Sequence, residues 1–322
     1  MARIGAFAAG AALPWPDLAA LAGAPDPPKS RVVIARDESL LTGKLNEHAD
    51  ILRKLLDAAV LRLTDRADAR SAWRSLFKPT DRTIGIKVNA LGLCTSPAVV
   101  DALSACLVAA GFRAENLIIW DRFDVELAEA GYKLNKSTTG VRCFGTDAEH
   151  IGAGYQDDVT VSGNIGSCYS KIVAERVDAL ISVPVLKDHN LAGVSLGLKN
   201  FYGAIHNPNK YHGTNCDPFI ADVCAHRFIA DKWRLTICDA VRAQFNAGPA
   251  RHPGFAWPYA GLIVSNDVVA ADAVAADLLE HRRIEANLPP LGVDGRPTTH
   301  ITTAAARNLG TADPARIDRI EV

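Results

Sequence analysis

The stretch from Val183 to His212, VPVLKDHNLAGVSLGLKNFYGAIHNPNKYH, gathers three lysines, three histidines and three glycines around a single carboxylate, Asp188. Cationic side chains collected in this way repel one another and lose hydration, so they need an anion, a metal or open water. One chemistry that suits them is anion binding with proton transfer. Lys187, His189, Lys199 and Asn200 are the candidates, Lys199 neutralising or tethering the anion and His189 acting as acid–base group. The other is metal ligation by His189, His206 and His212, because imidazole is the commonest ligand for zinc, nickel or iron. Gly193, Gly197 and Gly203 would let the backbone approach a ligand closely, having no Cβ.

Duller readings stand beside these. A loop histidine is usually solvated, and the three here match no compact motif such as HExxH. Lys199 ends an apolar VSLGLK run and can snorkel to the surface; set near Lys187 and Lys210, it can instead have a lowered pKa. The run Gly193-x-x-x-Gly197-x-Lys199-Asn200 resembles a phosphate loop, but Asn200 stands where a Mg²⁺-binding hydroxyl belongs. A helix starting near Gly193 would still offer backbone N–H groups to an anion. Asp272 and Asp277, on a helix near the C-terminal end, read as a solvated face.

The elements that must position these residues alternate. RVVIAR, TIGIKVNALG, NLIIWDR, VDALISVPVL, WRLTICDAV and AGLIVSND read as strands, VDALISVPVL as one continuous apolar strand covered on both faces. Leu52, Leu55, Leu56, Ala59 and Leu63 follow a helical period. SPAVVDALSACLVAAG reads as a helix capped by Ser96, with Pro97 in its first turn and Gly111 at its exit. A further helix is expected to be capped by Asp217 and to bury Ile220, Val223, Cys224 and Phe228, and another to be capped by Asn266 or Asp267. A last helix is expected over 298–308, and RIDRIEV as a closing strand. The pattern predicts an α/β fold with a mostly parallel, doubly wound sheet and helices on both faces, in one domain over 31–322. Lys87, Asn89, Asp121, Lys187, His189 and Asp239 all fall just after apolar strands, where such sheets bind ligands, so one shared cleft is expected, with Lys87 and Asn89 among the ligand-holding groups.

Lys+Arg 35 against Asp+Glu 36 gives a formal charge of −1, which argues against a nucleic-acid partner. The seven cysteines form no CxxC, so neither an iron–sulfur cluster nor a zinc ribbon is expected, and Cys106 and Cys224 read as small buried hydrophobes. Residues 1–30 carry one arginine, an apolar Ala/Gly-rich run and a Pro-rich end. They do not make a membrane span, and they resemble the later part of an export signal of the twin-arginine type. A periplasmic protein is therefore expected; as a plain tail, the same segment leaves the chain in the cytoplasm.

In order, IGIKVNALG, SPAVVDALSACLVAAGF, VPVLKDHNLAGVSLGLKNFYGAI and SNDVVAADAVAADLL resemble the hallmarks of the domain-of-unknown-function 362 family, over nearly all of 31–322. The Lys187-x-His189…Gly193-x-x-x-x-x-Lys199-Asn200-x-x-Gly203 core carries the likeness. More distantly, the segment is similar to the strand–His–Gly-rich–Lys stretch of nickel-pincer lactate racemases, with His189 and Lys199 in matching places. That likeness implies a pyridinium-derived nickel cofactor tethered by Lys199, with His212 nearest to the later metal-ligating histidine, although GLK stands where GGxK is expected. Together these readings predict a small anionic ligand or metal-containing cofactor and proton or hydride transfer on a small carboxylate. The alternative is a non-catalytic cell-envelope binding protein for a metal or organic anion.

Overall fold

The computed structural model describes residues 28–322. The signal-like segment therefore lies outside the described residues except for its last three. β1 (Ser30–Arg36) is followed by α1 (Ala49–Thr64) and α2 (Ala69–Ser75), and the chain returns as β2 (Ile84–Val88). α3 (Pro97–Ala109) leads to β3 (Leu117–Trp120), and α4 (Asp124–Glu129) to the short β4 (Arg142–Cys143). A small hairpin, β5 (Thr160–Ser162) and β6 (Ile165–Ser167), precedes β7 (Ala179–Val183), β8 (Val185–His189) and β9 (Gly193–Val194). Three short helices follow: α5 (Gly197–Asn200), α6 (Phe219–Ala225) and α7 (Arg227–Ala230). β10 (Trp233–Gln244), β11 (Ala256–Trp257), β12 (Gly261–Ser265), α8 (Val268–Glu285), α9 (Thr299–Ala306) and β13 (Ile317–Glu321) complete the chain.

The main sheet runs in the order β13-β1-β12-β10-β7-β2-β3-β4. Along this path only the two pairings of β12, with β1 and β10, are antiparallel, so the sheet is mostly parallel as expected. Strand alternation divides each strand between two cores. Val33 and Ala35 of β1 pack with Leu52 and Leu56 of α1, Trp73 of α2 and Val99 of α3. Val32 and Ile34 pack on the opposite face with Ile220 of α6, Val269 of α8 and Ile301 of α9. All seven cysteines are free, and Cys106 and Cys224 are buried. No helix among the described residues is long and apolar enough to cross a membrane.

Four local expectations are corrected. Pro184 has no N–H to give a ladder, and it divides the apolar run into β7 and β8, which pairs with β10 farther along. β10 does not stop at Asp239 but runs on to Gln244, because β8 and β11 continue to pair with it. α6 starts at Phe219 with Pro218 at its cap position, so Asp217 does not cap it, and Phe228, only partly buried, belongs to α7. Ser96 sits at the cap position of α3 but makes no side-chain cap bond; its own N–H donates to the Asp239 carboxylate at 2.9 Å. Asp267 caps α8 as expected, accepting from Ala270 N.

Candidate functional site

Side chains on β8 alternate in direction, and this explains why Asp188 leaves the basic run unbalanced. Lys187 and His189 face a cavity of about 180 Å³ beyond the ends of β2, β3 and β7. Asp188, wholly buried, faces the other way, where it accepts from Gly248 N at 2.8 Å and pairs with Arg296 at 2.7 Å. Lys87, Asn89, Asp121, Lys199, Asn200, Gly203 and His212 line the same cavity, as does Arg122. A larger hollow of about 500 Å³ lies beside β4, but it holds none of these groups.

The three buried lysines are held differently. Lys87 pairs with Asp121 at 2.7 Å and donates to Val88 O at 2.6 Å and Asn200 Oδ1 at 3.2 Å. Lys187 donates to Asn89 Oδ1 at 2.9 Å and to the carbonyls of Leu91 and Leu93, both at 2.8 Å. It is thus the bolt of the 89–93 loop, and it and Asn89 are occupied with each other. Lys199 has only His212 Nε2 at 3.1 Å and the face of Tyr202, 4.1 Å from the ring centre. Among the described residues no carboxylate pairs with it. Burial pushes the Lys199 and Lys187 amines down to about 8.

The histidine tautomers follow from their partners. His189 Nδ1 accepts from Leu191 N at 3.1 Å and Ala192 N at 3.2 Å, so its proton sits on Nε2. Burial first, then the neighbouring Lys199, holds this imidazole neutral, its pKa near 2. His212 Nδ1 lies 3.0 Å from Pro208 O and must donate to it, which leaves a lone pair on Nε2 facing Lys199. The two rings stack with centres 5.9 Å apart. Burial, then Lys199, lowers the pKa of His212.

Several expected roles move. His206 is exposed and does not line the cavity; its ring meets the edge of Tyr155 at 5.0 Å. The metal set thus reduces to His189 and His212, and among the described residues no group of three or more His, Cys, Asp or Glu is placed to hold a metal. Gly193 and Gly197 face protein rather than ligand. A Cβ on Gly193, whose φ is +75°, would strike the Arg296 carbonyl, and one on Gly197 would meet Asp272 Oδ1 at 2.9 Å. Gly203 does border the cavity, where a Cβ would come within 2.9 Å of Lys87 Nζ. Asn200 ties α5 to the sheet, its amide donating to Lys87 O and Ser182 Oγ. Asp239 lies outside the cavity lining, its carboxylate occupied with Ser96 N and Val241 N.

The backbone anion site expected near Gly193 is also taken. That residue starts a strand, and the N–H groups that open α5, Gly197 N and Leu198 N, donate at 2.8 and 2.9 Å to Asp272, which is 1% exposed. Asp272 is therefore no solvated residue, and its alanine-rich surroundings, AADAVAAD, are the sequence signal of a buried helix. Sequence reasoning also missed Arg122 and Tyr202; no motif marks them, and only the fold brings them to the cleft.

The nickel-pincer group implied by the more distant resemblance does not fit these residues. A cavity of about 180 Å³ falls below the ~300–1,000 Å³ of sites for larger organic ligands, and because His189 Nδ1 accepts two backbone N–H groups, its Nε2 keeps a proton and offers no lone pair to a metal.

The sequence matches the family model described as "Domain of unknown function (DUF362)" over residues 83–277. No curated protein matches it. Among solved structures it is similar to the crystal structure of a Thermotoga maritima protein from a structural genomics consortium, with 11% identity and a TM-score of 0.45. That alignment covers 71% of this chain and 59% of the other. With the family model matching more than half of its length, cavity-lining residues from Lys87 to Pro249 included, the chain belongs to the domain-of-unknown-function 362 family.

Proposed function

We propose that the chain binds a small carboxylate in the cleft and moves a proton at the carbon beside that carboxylate. The observation that carries this reading is Lys199, a buried ammonium with no carboxylate partner among the described residues. Such a charge is costly until an anion arrives. Its contact with His212 is a weak use of three donors, and an incoming carboxylate supplies stronger charge-assisted bonds. When Lys199 turns to the ligand, the Nε2 lone pair of His212 is released, with Pro208 O still fixing the tautomer. His212 then takes the proton from carbon, and the C–H electron pair moves onto an enolate oxygen. That oxygen is neutralised by the Lys199 ammonium and accepts from His189 Nε2–H. His189 serves as donor rather than base, because its imidazole stays neutral far below physiological pH. Return of the proton to either face gives isomerisation or exchange.

The test is proton NMR in D₂O with lactate and malate as probes, following deuterium uptake beside the carboxylate, together with thermal shift for binding. The wild type should bind and exchange. His212→Gln should still bind but lose exchange by about 100-fold or more, the usual size of a general-base contribution. Lys199→Met should lose the binding response. Binding without exchange would reduce the chain to a carrier, and absence of both would remove the reading.

A further inference from the structure

Arg122 stands two residues past the end of β3 and lines the same cavity. Among the described residues its guanidinium makes no ion pair; Nε is buried without an acceptor, the Tyr155 hydroxyl lies beside it outside full hydrogen-bond geometry, and the group lies over Phe123 at 4.7 Å. Arg122 is the one charged neighbour that eases the burial of the Tyr155 hydroxyl, whose ring is braced by His206. A guanidinium has five donors and no way to shed its charge, so leaving them unused in a cleft wall points to an absent acceptor. The charges agree. The lining carries Lys87, Arg122, Lys187 and Lys199 against Asp121 and Glu126, an excess of two positive charges (4 − 2). Glu126 sits near Arg122 but does not pair with it, and burial raises its pKa. The cavity of about 180 Å³ falls below the ~300–1,000 Å³ of sites for larger organic ligands, which favours a small ligand over a nucleotide.

We infer that Arg122 docks a second carboxylate, so that the cleft selects a small dicarboxylate over a monocarboxylate. One carboxylate meets Lys199 beside His212, and the other takes the planar guanidinium fork in bidentate fashion. This rests on the reading of the cleft as a carboxylate site, and it assigns the distal end of the ligand.

Titration calorimetry with malate, lactate and phosphoglycolate tests it. The wild type should bind malate at least about tenfold more tightly than lactate, as one charge-assisted contact warrants. In Arg122→Gln that preference should fall below about twofold, and Arg122→Lys, which keeps charge without the fork, should recover part of it. Equal affinity for malate and lactate, with binding still dependent on Lys199, overturns this inference alone. No binding of any probe overturns it together with the carboxylate reading. Tighter binding of phosphoglycolate than of malate overturns the dicarboxylate assignment in favour of a phosphate head. If Arg122→Gln fails to fold, judged by its melt, the wild-type ratio and Arg122→Lys still decide.

Discussion

A lysine ammonium taken out of water costs several kcal/mol unless something negative replaces the lost solvent. Lys87 has Asp121, and Lys187 has a cage of oxygens, but Lys199 has one imidazole nitrogen and a ring face. Lys199→Met should therefore stabilise the ligand-free protein by about 1–4 kcal/mol at pH 7 while abolishing its response to carboxylates. The sign of the pH effect follows from a pKa depressed to about 8. The wild type bears the cost below pH 8 and is relieved as pH rises toward the unfolded value, so the gap between variant and wild type should narrow by pH 10. Urea unfolding at both pH values measures it; a Met variant less stable than wild type at pH 7 would show that Lys199 is already satisfied. The contrary case is Asp121→Ala. It strips Lys87 of its counter-charge and removes an acceptor from Ala90 N and Arg122 N, so about 3–5 kcal/mol should be lost on the same curves.

Helix α5 has four residues, too few to hold itself. It stands because the Asp272 carboxylate closes its first turn and the Asn200 amide stitches its last residue to β2 and β7. Asp272→Ala leaves two buried N–H groups without acceptors and should cost about 2 kcal/mol or more, with loss of the carboxylate response because Lys199 sits in that turn. A variant that melts lower but responds fully to ligand would show that Lys199 is placed by something else. Much at this scale was legible in the sequence: period-2 and period-3.6 patterns marked β1, β2, β3, α1 and α3, and strand ends marked Lys87, Asp121, Lys187 and His189 as neighbours. What stayed hidden depends on partners distant in the chain. Nothing local says that Asp272 reaches Gly197, 75 residues away, that Asp188 turns to Arg296, or that Asp239 serves α3.

Across the whole molecule, buried titratable groups oppose one another. Burial depresses His300 to about 3 and His189 to about 2, so their contribution is present above pH 6.5 and lost as pH falls toward those values. Burial raises Asp272 to about 7 and Asp239 to about 6, so theirs is present at low pH and lost as pH rises through 6–7. Between pH 4 and 6.5 the two sets should largely cancel, giving a flat wild-type stability profile in this window. His300, fully buried with neither ring nitrogen partnered among the described residues, can be removed without touching the cleft lining. Relative to the wild type, His300→Leu should then gain stability on acidification over that window by up to about 1.4 kcal/mol per pH unit, read from denaturant midpoints at pH 4.5, 5.5 and 6.5. Parallel profiles would mean that His300 does not stay neutral in the folded chain.

The place of β1 in the sheet has a further consequence, one of timing. Val32 to Ala35 are wholly buried between β12 and β13, yet Gly261, where the first of these neighbours begins, is synthesised 225 residues after Arg36 (261 − 36). At ~5–20 residues per second a growing chain carries this apolar segment, with both edges open, for about 10–45 s. Parallel closure by β13 comes later still, within the last residues of the chain. A translation product stopped short of β12 therefore keeps a ready template for pairing with other chains, and nascent chains of this protein should be at their most adhesive just before β12 is made.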